Sequence, residues 1–171
     1  MRKWGRVMKD GDDSRYSSLM EEARRFEKNL LNFFWRQGVS YSDGEDLVQE
    51  TYLKLWEYRE RYVKTAKLST FLFLIARQVR IDALRRTTRR EAREEVWGKE
   101  QSKTTDQVHS AKDDVRWAVS QLSEPLREVV ELGVFQDLPY AEVAEILGIP
   151  VGTVKSRMSN ALKKLRVVME K

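Results

Sequence analysis

Apolar residues return every three or four positions along most of this chain, and the polar residues between them collect on the opposite side. Leu19, Ala23, Phe26, Leu30 and Phe33 form one such stripe. It predicts an amphipathic helix ending near Gly38, with Phe33, Phe34 and Trp35 as core. After a turn at residues 40–44, a helix over 45–58 turns Val48, Tyr52, Leu55 and Trp56 inward and leaves Asp46, Gln49, Glu50 and Leu53 outside. Residues 59–67 lose the period and read as a basic loop. Order resumes over 68–86, where Ser69 or Thr70 supplies a cap and Leu68, Leu72, Ile75, Val79 and Ala83 form the buried stripe. A further helix begins at Asp113 or Asp114 and carries Val115, Ala118, Val119 and Leu122. Ser123, Glu124 and Pro125 then cap and restart the chain, and Leu126, Val129, Val130 and Leu132 take it to Phe135.

The last stretch is the most regular. Tyr140, Val143, Ala144 and Leu147 recur at helical spacing, Gly148 and Ile149 make a tight turn, and Pro150 opens a second helix. In that helix Val154, Met158, Ala161 and Leu165 share one face; Gly152, Ser156, Ser159 and Lys163 lie opposite, flanked by Lys155 and Asn160. The pattern predicts an all-α chain of two small helical domains joined by a flexible linker. Residues 1–14 form a tail without fixed structure, 15–93 the first domain, 94–112 a polar linker, and 113–171 a four-helix domain containing a helix-turn-helix.

Composition narrows the chemistry. The 171 residues carry a formal charge of +5 with 35% charged and 41% hydrophobic residues, which suits folded cores and a polyanionic partner. With no cysteine, disulfides, thiolate zinc sites and cysteine nucleophiles are excluded. The single histidine, His109, sits in the polar linker without a partner for metal binding. Asp46 and Glu50 are one helical turn apart, but no neighbouring carboxylate or histidine completes a cation shell. No glycine-rich phosphate loop or nucleophile elbow occurs, so neither cofactor, metal nor catalysis is expected. The chain also lacks a secretory signal pattern and any run of the roughly 20 apolar residues that spans a bilayer; a cytoplasmic protein without membrane insertion is expected.

Charge is unevenly placed. No acidic residue falls between Glu145 and Glu170, whereas Lys155, Arg157, Lys163, Lys164 and Arg166 do. A helix-turn-helix inserts the first half of its second helix in the major groove, and Thr153, Lys155, Ser156, Ser159 and Asn160 are suitable residues for that contact. An ordinary helical hairpin with a solvated basic face has the same spacing, so the rest of the chain must decide. Arg77, Arg80, Arg85, Arg86, Arg89, Arg90 and Arg93 decorate the helix after residue 68, and Tyr62 beside Lys64 and Lys67 offers stacking and phosphate contacts to single-stranded bases. Two basic surfaces in one chain favour nucleic acid.

Four blocks then point to one family. DLVQETYLKLW (46–56) with IARQVRIDALRR (75–86), and LSEPLREVVEL (122–132) with VAEILGIPVGTVKSRMSNALKKL (143–165), resemble regions two and four of bacterial extracytoplasmic-function (ECF) sigma factors. The likeness extends in order over nearly all the chain beyond Ser14, with no region-three domain between. It implies a non-catalytic subunit that binds core RNA polymerase and directs promoter-specific initiation, with melting by region two and duplex reading by region four. Asp46, Gln49 and Glu50 would dock on the beta-prime clamp helices, and region four would meet the beta flap. Tyr62, Lys64, Lys67, Arg77, Arg80, Arg85 and Arg86 would recognise and open the minus-ten element. At the minus-thirty-five element, Lys155, Ser156, Ser159 and Asn160 would meet bases, and Arg157 or Lys163 phosphates or packing, with Thr153 on the same helix end. The resemblance also implies an anti-sigma factor as a partner, although no motif identifies one.

Three positions depart from the family pattern: Phe71 where tryptophan is usual, Gln78 for asparagine, and Asn160 where many members carry arginine. Arginine suits guanine and asparagine suits adenine, so a shifted minus-thirty-five preference at one base is expected. Two other readings stay open on the residues. A stand-alone regulator accounts for the helix-turn-helix but not for the acidic strip with the arginine-rich helix. A metal-dependent nucleic-acid enzyme needs a carboxylate cluster that only Asp46 and Glu50 begin.

Overall fold

The computed structural model describes residues 10–62, 67–95 and 111–170, and these hold eight α-helices and no strand. In chain order they are α1 (Asp10–Arg24), α2 (Glu27–Arg36), α3 (Tyr41–Tyr58), α4 (Leu68–Glu95), α5 (Ala111–Ser120), α6 (Glu124–Val130), α7 (Tyr140–Leu147) and α8 (Val151–Met169). A short 3-10 turn, Arg59–Arg61, follows α3, and a π-helical segment, Glu131–Phe135, continues α6. The first four helices close around Leu30, Phe34, Val48, Leu55, Leu72, Phe73 and Val79, all essentially inaccessible to solvent. The last four close around Val129, Leu132, Val143, Val154 and Ala161. Buried residues of both groups join in one continuous apolar cluster, so the two modules lie against each other.

Several local expectations are corrected. The single helix expected to end near Gly38 is two helices. Arg25 and Phe26 donate backbone N–H bonds to Glu22 and Ala23 (3.2 and 3.0 Å), which tightens the end of α1, and Phe26 then caps α2 through its backbone. Ala23, Leu30 and Phe33 stay buried across the break, so the stripe survives although the helix does not. Residues 10–14, expected in a tail, are already helical, while residues 1–9 lie outside the described residues. The expected turn at 40–44 is a helix start. Ser40 caps α3, accepting the Asp43 N–H at 3.1 Å and donating its hydroxyl to the Asp43 carboxylate at 2.6 Å. Gly44 therefore lies inside α3, where a Cβ would stand 3.9 Å from Leu31 and Phe34.

Thr70 does not cap α4; its hydroxyl donates to Glu142 at 2.6 Å. Ser123 caps α6 with its carbonyl alone, accepting from Leu126 and Arg127, and makes no side-chain cap bond. The helix expected over 68–86 continues to Glu95, and the expected linker narrows accordingly; residues 96–110, with His109, lie outside the described residues. Among the described residues no helix is long and apolar enough to cross a membrane.

Candidate promoter and polymerase interfaces

The helix-turn-helix forms as its residues require. Gly148 adopts φ 64°, ψ 36°, the left-handed conformation that costs glycine little, while the Ile149 and Gly148 N–H groups bond to Ala144 and Glu145 carbonyls and close α7. Pro150, at φ −60°, precedes the first turn of α8 without leaving an amide unsatisfied. Val154, Met158 and Ala161 are buried against the rest of the module. The opposite face exposes Lys155, Ser156, Ser159, Asn160 and Lys163, and Thr153 and Arg157 sit half-buried at its edges. The Ser156 hydroxyl is turned back to the Thr153 carbonyl at 3.0 Å. Gly133 in the π segment allows close approach to α8, since a Cβ there would fall 2.7 Å from the Met158 methyl.

In the first module α3 lies along α4. Asp46 and Gln49 are exposed, Leu53 beside them is 64% exposed, and Glu50 is half-buried. Glu50 accepts from the Arg86 guanidinium at 2.8 Å, so a residue of the acidic strip is paired with a residue of the arginine-rich helix. Asp43, Asp46, Glu50, Arg80 and Arg86 line one open groove of about 430 Å³ between the two helices. Below it, Asp82 accepts from Lys54 at 3.1 Å and from Gln78 at 3.0 Å, and these bonds hold its carboxyl below the usual aspartate value. Arg85 is mostly exposed and lies 3.8 Å from Asp82. The Tyr62 ring meets Phe71 at 5.4 Å in a tilted pair, and burial, then Glu22, push its phenol up. Lys64 lies outside the described residues.

Arg77 and Arg80 are paired with carboxylates of the second module, although Arg80 also lines the groove. Arg77 reaches Glu128 at 2.8 Å, and both terminal nitrogens of the buried Arg80 reach one oxygen of Glu124 at 3.0 Å. Lys67 meets Glu142 at 2.6 Å. Farther along the same seam Arg36 binds both oxygens of the fully buried Glu131 and lies 4.2 Å over the Phe135 ring. Burial pushes the Glu131 carboxyl above its ordinary value despite Arg36 and Gln136 pulling it down. For Glu142 burial acts in the same sense, but hydrogen bonds from Lys67 and Thr70 outweigh it and the carboxyl is lowered. The sequence pattern does not mark Glu128, Glu131 and Glu142 as ion-pair partners, and places Glu124 only in a helix cap. The available signal was Glu128 and Glu131 standing among Val129, Val130 and Leu132, since carboxylates in an apolar run are buried only with partners.

Comparison with known proteins agrees with this architecture. Residues 22–90 match the profile of Sigma-70 region 2 and residues 112–165 that of Sigma-70, region 4. The chain is 33% identical over 145 residues to the ECF RNA polymerase sigma factor SigL of Mycobacterium tuberculosis, covering 80% of this chain and 82% of that protein. It is 29% identical over 168 residues to the ECF RNA polymerase sigma factor RpoE of Cereibacter sphaeroides, covering 95% and 93%. The fold is similar to that of RpoE from Bartonella quintana, solved with the anti-sigma factor NepR (TM-score 0.67, 24% identity, 95% of this chain and 98% of that one). It is also similar to CnrH solved with the cytosolic domain of CnrY (TM-score 0.68, 21% identity, 91% and 89%). The chain belongs to the ECF sigma factors of the sigma-70 family, non-catalytic subunits that direct promoter-specific transcription initiation.

Proposed function

We propose that this chain binds core RNA polymerase through Asp46, Gln49 and Glu50, opens the minus-ten element with region two and reads the minus-thirty-five element with α8. The carrying observation is the partition of α8. Val154, Met158 and Ala161 fix one face in the core while Lys155, Ser156, Ser159, Asn160 and Lys163 face outward without an acidic residue among them. Lys155, Ser156, Ser159 and Asn160 there meet base edges, and Arg157 or Lys163 meets phosphate, with Thr153 at the rim.

In region two the proposed minus-ten surface is Tyr62, Lys64, Lys67, Arg77, Arg80, Arg85 and Arg86. Extruding a base costs a few kcal/mol, and stacking on an aromatic ring returns about 1–3 kcal/mol per base, so Tyr62 with Phe71 supplies a fitting platform. Each module alone is a small, weak binder. Anchoring both on polymerase makes the second contact intramolecular and raises its effective concentration. The chain itself makes and breaks no bond, works in the cytoplasm with the polymerase, and contacts the beta flap through region four. An anti-sigma factor that covers the polymerase-binding strip is the expected inhibitor. Run-off transcription with core polymerase on a promoter library tests the reading: discrete start sites that require this protein support it, and tight operator binding without any polymerase-dependent transcript refutes it.

A further inference from the structure

Resting on that reading, we propose that Tyr16 of α1 and Arg59 at the end of α3 are positioning residues for strand opening: together they hold the turn that presents Tyr62 to an unpaired base. Tyr16 precedes residues 22–90, the stretch that matches Sigma-70 region 2, so the N-terminal helix joins the promoter-opening surface through it. Tyr62 stands at the end of the 3-10 turn Arg59–Arg61, and its N–H donates to the Arg59 carbonyl at 3.3 Å. A turn that short, closed by a bond that long, leaves its direction to the groups packed around it. Whatever fixes Arg59 therefore sets where Tyr62 begins.

Arg59 is held from three sides. Its Nη1 donates to the Trp56 carbonyl at 2.7 Å, which closes the last turn of α3. The guanidinium carbon lies 4.3 Å from the centre of the Trp56 ring and 5.0 Å from that of Tyr16, and the two rings meet edge-on at 6.3 Å. Its buried Nε has no hydrogen-bond partner, so ring faces stand where water would otherwise solvate the cation. Arg85, by contrast, is mostly exposed and free to turn to a phosphate. Trp56 belongs to the same helix as Arg59, whereas Tyr16 brings α1 to the sandwich. Farther along α1, Glu22 lies near enough to Tyr62 to push its phenol up, after burial has done so. Phe71 of α4 completes the platform at 5.4 Å, so α1 and α4 both bear on the ring that an extruded base would meet.

The test uses the full chain with core polymerase on two templates of one promoter, the first fully paired and the second with its minus-ten element held open by mismatches. A 2-aminopurine in the paired minus-ten element reports unstacking. Tyr16→Leu keeps an apolar side chain but removes the ring. It should slow the 2-aminopurine signal and cut the transcript from the paired template about fivefold, while the open template, where unpairing is already done, gives most of the normal yield. Polymerase capture should be unchanged, and Tyr16→Phe, which keeps the ring face, should restore opening. Arg59→Gln should behave like Tyr16→Leu and leave the salt slope of promoter binding as it was, since no phosphate contact is lost. If Tyr16→Leu loses helix by circular dichroism, Arg59→Gln decides. Normal opening by these variants, equal losses on both templates, lost polymerase capture, or a salt slope reduced by about one in Arg59→Gln would each overturn the proposal. Tyr62→Leu tests the platform beneath it: normal opening there removes the platform and the proposal together. Failure of the sigma-factor reading looks different, with no polymerase-dependent transcript from the unsubstituted protein on either template.

Discussion

Arg36, at the end of α2, holds both carboxylate oxygens of Glu131 at 2.7 and 2.9 Å across 95 positions of sequence. The pair joins the modules through a fully buried carboxylate. Removing one partner of such a pair costs about 3–5 kcal/mol when the other charge must stay buried. Here the loss is capped by the free energy of parting the modules, since an exposed Glu131 regains its water. Arg36→Met should therefore lower the urea midpoint of the closed unit, and Arg36→Met/Glu131→Leu should recover most of it. Equal midpoints for the single and double variants would show that the pair does not couple the modules.

The turn of the helix-turn-helix offers a sharper local test. Gly148 sits at φ 64°, where any Cβ is strained although the surrounding space is open. Gly148→Ala should cost about 1–2 kcal/mol with little change in the folded structure. Met158→Ala, by contrast, removes a buried side chain beside Gly133 and should cost about 2–5 kcal/mol. Thermal melts that rank the two in the opposite order would contradict the packing described.

Acid should weaken the contact between α3 and α4. Hydrogen bonds from Lys54 and Gln78, and the Lys54 charge, lower the Asp82 carboxyl in the folded protein. Stability from a lowered carboxyl is fully present above its ordinary value of 3.8 and is lost as pH falls through the lower folded value. The melting temperature should drop over that acidic window, and Asp82→Asn should flatten the drop by lowering the neutral-pH plateau. An unchanged acid limb in the variant would remove Asp82 from the account.

On α8, Lys163→Ala, at an exposed position, should weaken promoter binding nearly equally across sequences and reduce the salt dependence by about one phosphate contact. Asn160→Arg should instead change base preference at one minus-thirty-five position, from adenine towards guanine. Binding-site selection distinguishes them; an unaltered preference in Asn160→Arg protein would place Asn160 off the bases.

How much of this was legible in the sequence depends on the range of the interaction. Val154, Met158 and Ala161, or Leu72, Ile75 and Val79, announce their burial because helical periodicity is local and each face repeats within a turn or two. The break at Arg25 and Phe26 is silent, since neither residue is a glycine or proline and the apolar stripe runs through it. Gly44 reads as a turn residue but is a helical packing contact, because only its neighbours Leu31 and Phe34 explain it. The π segment leaves no trace in spacing. Arg77 and Arg80 read as solvated or DNA-facing, and their partners Glu128 and Glu124 lie 51 and 44 positions away, beyond the reach of any periodic pattern.

The measurement that bears most directly on the central claim is run-off transcription from a promoter carrying both elements, with core polymerase and either the unsubstituted protein or Asp46→Lys. Asp46 is exposed and outside the seam, so its reversal leaves the fold and the DNA-facing residues in place. The unsubstituted protein should give a discrete transcript, and Asp46→Lys should lose most of it together with capture of polymerase. Equal transcript from both proteins, or none from either, would contradict a chain that gains promoter selectivity by docking its acidic strip on the polymerase.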